Sequence, residues 1–66
     1  MVENKERSLL TEEEAAAVVG FTVKTMQKRR YLRKPPQFLK VGRSVRYRME
    51  DLRAFLDKCV VPVREA

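Results

Sequence analysis

Sixty-six residues, 44% of them hydrophobic, allow one domain at most, near the lower limit at which a single core folds without disulfides or metal. One cysteine and no histidine exclude an internal disulfide and a soft-ligand zinc site. No run of about 18 apolar residues could span a bilayer, and MVENKERS lacks the apolar segment of a signal peptide, so a cytoplasmic chain is expected. The formal net charge of +6 is unevenly spread: no acid occurs between Glu14 and Glu50, and all nine carboxylates lie in the flanks, the expected footprint of a surface that meets a polyanion.

Residues 1–8 are polar and mixed in charge and read as a flexible arm. In LLTEEEAAAVVG, Thr11 is a good N-cap, Glu14 completes a capping box three residues on, and Leu10 can staple onto Ala15. A first helix is expected over Glu12–Val19, its three glutamates complementing the helix dipole and Gly20 ending it in the left-handed conformation. After Phe21, Thr22 is a second N-cap, with Phe21 and Met26 in the staple positions. The second helix is expected over Val23–Arg33, stopped by Pro35–Pro36. Two short helices joined by Gly-Phe-Thr make a helix-turn-helix.

QFLKVGRSVRYRM alternates with period two around Gly42-Arg43, the signature of a β-hairpin. The expected arrangement puts Leu39, Val41, Val45 and Tyr47 on an apolar face and Lys40, Arg46 and Arg48 on the other, with Phe38 outward. Leu52, Phe55, Leu56 and Cys59 recur at helical spacing, so a third amphipathic helix is expected over Glu50–Val60, ended by Pro62. Cys59 is expected to be a small packing residue, with an exposed or intermolecular thiol as the alternative. The tail VVPVREA has no period and reads as frayed or as a docking strand. The fold class is thus a small α+β winged helix-turn-helix, with the domain over residues 9–60 and a tail over 61–66. Its expected core is Leu10, Ala16, Val19, Phe21, Met26, Leu39, Val41, Val45, Tyr47, Leu52, Phe55 and Leu56.

The run KTMQKRRYLRK carries six positive charges in eleven positions, an arrangement that weakens a helix unless something neutralises it. A helix of this length fits the DNA major groove, where Gln pairs adenine and Lys or Arg reaches guanine. Val23, Lys24, Gln27, Lys28, Arg30 and Tyr31 fall away from the Phe21 and Met26 side, while Thr22 and Thr25 suit a phosphate at the helix start. For Tyr31, as for Phe38, packing in a small core competes with this role. At the hairpin tip Gly42 lets the backbone approach DNA closely. Arg43 projects beside Ser44, and Lys40, Arg46 and Arg48 would follow the phosphates. Five or six neutralised phosphates give a log-log salt slope of roughly −5.

The runs LLTEEEAAAVVGFTVKTM and PPQFLKVGRSVRYRMEDLRAFL, covering about residues 9–57, resemble the small excisionase family of winged helix-turn-helix proteins, related to the DNA-binding domains of MerR-type and AlpA-like regulators. The resemblance implies a non-catalytic architectural factor that binds repeated or clustered duplex sites and bends them. Such a factor associates cooperatively on DNA and helps an integrase run toward excision. It implies a recognition helix from Val23 to Arg30 and a wing tip at Gly42-Arg43-Ser44. The chain departs from the family pattern at Arg29, where an aromatic residue is common, and at Arg33-Lys34, where a glycine often follows the helix.

No catalytic role is expected, because histidine is absent, Cys59 lacks a base partner and the acid-free middle removes paired carboxylates. No cofactor is expected either. The nearest rival is a stand-alone phage-type transcription regulator using the same surface. A generic polyanion binder is a further reading, whereas the second helix lacks the broad apolar face of a membrane-surface helix.

Overall fold

The computed structural model describes residues 9–64; the expected arm over residues 1–8 and the last two residues of the tail lie outside them. The chain forms β1 (Leu9–Leu10), α1 (Glu12–Val19), α2 (Val23–Tyr31), β2 (Leu39–Val41), β3 (Ser44–Arg48) and α3 (Met49–Lys58). Three helices pack with a three-stranded antiparallel sheet of order β1-β3-β2. No helix among the described residues is long and apolar enough to cross a membrane.

Local chemistry fixes the helix ends. The Glu14 amide donates to Thr11 Oγ1 at 3.2 Å, and the Thr11 amide donates to Glu14 Oε1 at 2.9 Å, a complete capping box. Gly20 ends α1 at φ +86°, its amide donating to the Ala16 carbonyl at 2.8 Å. Thr22 caps α2 by accepting from the Thr25 amide at 3.1 Å. The chain turns through Gly20, Phe21 and Thr22 with no slack, so α1 and α2 must meet across a small apolar contact.

The end of α2 differs from expectation. The helix stops at Tyr31, before the proline pair, because Arg33 takes φ +60°. The Arg33 amide donates to the Arg30 carbonyl at 3.0 Å and the Lys34 amide to the Arg29 carbonyl at 2.8 Å, the paired bonds of a Schellman ending. The third helix begins one residue earlier and ends two residues sooner than Glu50–Val60. Arg48 holds its N-cap position without a side-chain cap bond.

The hairpin faces are the larger correction. Leu39 pairs with Arg46, Lys40 with Val45 and Val41 with Ser44 across the two-residue Gly42-Arg43 turn, and Gly42 at φ +62° takes the first central position as a type II′ turn requires. Partnered residues in an antiparallel pair share a face. Lys40 therefore lies on the side of Val45 and Tyr47, while Leu39 and Val41 share the outer side with Arg46 and Arg48, the reverse of the expected sorting. Val41 is 55% exposed.

β1 was not foreseen: Leu9 pairs with Arg48 and Leu10 with Tyr47, which brings Leu10 to the inner face. The core is Ala15, Ala16, Met26, Tyr47 and Leu52, ringed by Leu10, Val19, Phe21, Val23, Phe38, Val45 and Met49. Leu39, Val41, Phe55 and Leu56 leave the expected core list; Ala15, Val23, Phe38 and Met49 join it. Phe38 turns inward onto Tyr47, with ring centroids 6.3 Å apart, and Phe55 packs on Phe21 at 6.1 Å. Cys59, expected to pack, is exposed at the end of α3. Residues 60–64 form no regular structure, and Val60, Val61 and Val63 are exposed.

Candidate nucleic-acid interface

A 100° step per residue sorts the side chains of α2. Met26 is fully buried, and the residues flanking it on the helical wheel, Val23, Arg29 and Arg30, are half-buried. The opposite stripe, Lys24, Gln27, Lys28 and Tyr31, is exposed together with Thr25. Tyr31 is 83% exposed, so the packing role open to it from sequence is not the one it takes. Val23, expected to face outward, packs against the core instead.

The six cations of KTMQKRRYLRK divide into two groups. Arg30 turns inward. Its Nε donates to Glu12 Oε2 at 2.7 Å and its Nη2 to Oε1 at 3.3 Å, while the Tyr47 hydroxyl donates to the same Oε2 at 3.0 Å. Glu12 thereby ties α1, α2 and β3 together at a carboxylate that is 14% exposed. Its hydrogen bond raises the Arg30 pKa further, and burial, reinforced by Glu12, pushes the Tyr47 phenol up to about 12. Both groups therefore keep their neutral-pH forms, and Arg30 is a structural cation where a DNA contact was expected. Arg29 is also structural: its guanidinium sits 5.3 Å from the Phe21 centroid and 5.5 Å from that of Phe55, and its Nε donates to the Pro35 carbonyl at 2.6 Å. The cation does in this place what an aromatic residue would do by stacking. Lys24, Lys28, Arg33 and Lys34 remain exposed, and no ion pair forms to any of them among the described residues.

At the start of α2, the Thr22 hydroxyl accepts from the Thr25 amide and donates to Thr25 Oγ1 at 3.0 Å. Thr22 is thus occupied as a cap, and the first amides of the helix are left pointing outward without intrahelical acceptors. Basic residues cluster at the other end of the helix, complementing the dipole there.

On the hairpin, Lys40, Gly42, Arg43 and Ser44 are exposed. Arg46 is half-buried and donates from Nη1 to its neighbouring Val45 carbonyl at 2.8 Å. Arg48 was expected to follow a phosphate backbone, but its Nε donates to Asp51 Oδ2 at 2.8 Å and its Nη1 lies 3.8 Å from Glu50. The Asp51 bond raises the Arg48 pKa. These acids lie two and three positions after Arg48 in the sequence, a local signal that the hairpin pattern by itself does not carry. Lys40 and Arg33 border one cleft with Tyr31 and Phe38, which joins the end of α2 to the hairpin.

Exposed cations thus come from two elements, Lys24 and Lys28 on the helix and Lys40 and Arg43 on the hairpin; Arg33 at the end of α2 shares a cleft with Lys40, and Lys34 borders a groove against α3. Comparison with protein-family models, with curated proteins and with solved structures finds no match.

Proposed function

We propose that the chain is a sequence-specific duplex-DNA-binding and DNA-bending protein of the winged helix-turn-helix class, and that it acts as an excisionase controlling the direction of integrase-mediated recombination. The observation that carries the reading is the sorting of cations on α2: those on the outward stripe have no carboxylate partner among the described residues, and those at its flanks are engaged by Glu12 and by the Phe21 and Phe55 rings. An α-helix with its side chains is about 10–12 Å across, which suits a major groove roughly 12 Å wide.

In this reading Gln27 meets a base edge, and Lys24 and Lys28 with the first amides of α2 meet phosphates. The hairpin lays Arg43 against the adjoining minor groove, with Gly42 and Ser44 small enough for close approach. The excisionase assignment draws on the sequence resemblance, and it makes an integrase and further copies of the chain on clustered sites the partners, at the nucleoid in the cytoplasm.

The test is a gel shift on attachment-site DNA in excess random competitor, followed by an excision assay with the cognate integrase. Discrete stepwise shifts of bent-DNA mobility and faster excision support the proposal. Specific shifts that leave excision unchanged but silence a nearby promoter would replace it with a transcription regulator. A smear abolished by competitor contradicts both.

A further inference from the structure

We propose that Arg33 is a phosphodiester-binding residue, kept in an unfavourable backbone conformation because that conformation holds its side chain beside a cleft between α2 and β2. This rests on the DNA-binding reading above and adds to it a residue, a site and a ligand group. Arg33 is the one described non-glycine residue with φ in the left-handed region, at +60°. An L-residue with a long side chain takes that conformation at a cost that glycine escapes. The helix ending demands it, since the bonds from the Arg33 and Lys34 amides to the Arg30 and Arg29 carbonyls form only when the residue after the cap is left-handed. For the fold alone, arginine is a poor occupant of this position. An observed backbone outlier of this kind points to a role outside folding.

The surroundings supply one. Arg33 is exposed and has no carboxylate within ion-pairing distance among the described residues. It borders an open cleft of about 420 Å³ whose other walls are Arg30, Tyr31, Phe38 and Lys40. The Arg30 charge is spent on Glu12, so the free charge at the cleft comes from Arg33 on the helix end and Lys40 on the edge strand. One phosphate with its sugar suits such a place: the guanidinium fork takes two phosphate oxygens, the ammonium acts as a point charge, and the Tyr31 ring offers an apolar wall to the deoxyribose. The negative pole of α2 would oppose an anion here. Its last carbonyls are already bonded, and three basic residues occupy its final turn.

The test measures thermal unfolding and the salt dependence of binding to a fluorescein-labelled duplex of mixed sequence, for the wild-type chain and for Arg33→Gly, Arg33→Lys and Arg53→Gln. Arg33→Gly should melt at higher temperature than the wild type yet bind about eightfold more weakly at about 0.1 M salt, with a log-log slope shallower by about 0.9, the loss of one phosphate contact. Arg33→Lys should keep the wild-type slope. Arg53→Gln, which removes one charge from α3, should bind as the wild type does. The proposal is overturned if Arg33→Gly melts higher but binds unchanged, if it melts no higher, or if Arg53→Gln loses as much affinity. A wild-type chain that binds no duplex at any salt overturns the DNA-binding reading itself, and this inference with it.

Discussion

Glu12 is the residue on which the three layers of the molecule depend, since one carboxylate receives Arg30 from α2 and Tyr47 from β3. Removing it leaves a half-buried guanidinium and a buried phenol without their acceptor, a desolvation cost that exceeds the worth of either bond. Glu12→Ala should lose roughly 2–3 kcal/mol in urea unfolding, whereas Glu13→Ala, exposed one position away, should stay within about 0.5 kcal/mol. The same cluster sets an alkaline limit. The folded-state phenol of Tyr47 is raised above its usual 10.0 to about 12, so the stability it confers is complete below pH 10 and is lost as pH rises toward 12. In a Tyr31→Phe background, phenolate absorbance should rise near pH 12 together with unfolding, and Tyr47→Phe should abolish the absorbance step. The capping residues of this network's helices were open to reading from sequence because a cap is a contact three residues long. The Glu12–Arg30 and Glu12–Tyr47 bonds join positions 18 and 35 apart, and nothing local in the chain announces them.

Among the elements, the hairpin shows how a correct element can carry an incorrect face. A two-residue turn joins an odd position to an even one, so Val41 faces Ser44 and the odd-numbered apolar positions of β2 and β3 fall on opposite sides. Alternation within each strand was plain; the turn length, which decides how the two alternations combine, had to be applied as well. The register predicts that Val41→Lys is nearly neutral, within about 0.5 kcal/mol, while Val45→Lys, which packs against the core, costs roughly 2 kcal/mol. Equal losses in thermal or urea unfolding would contradict the pairing. The end of α2 was illegible for a different reason. Glycine announces a left-handed helix ending and arginine does not, so the proline pair was the nearest visible stop. β1, two residues long and just before a cap, has too little length to show a period.

For the whole molecule, the charge pattern was legible in outline and not in detail. Segregation of acids to the flanks and bases to the middle is visible in the sequence, but folding returns Glu12 to Arg30 and Glu50 with Asp51 to Arg48, drawing two cations out of the expected interface. Lys24, Lys28, Arg33, Lys40 and Arg43 remain exposed without such partners among the described residues, on α2, at its end and on the hairpin. Five phosphate contacts predict a log-log salt slope of about −4.5 for duplex binding. The account is therefore tested most directly by fluorescence anisotropy on a labelled attachment-site duplex across a salt series, with the wild-type chain beside Lys24→Gln/Lys28→Gln/Arg43→Gln. The account predicts a slope of about −4.5 that the triple variant reduces by roughly 2.7, the share of three lost contacts. Binding whose salt slope is the same in both proteins, or no binding by the wild type, would contradict it.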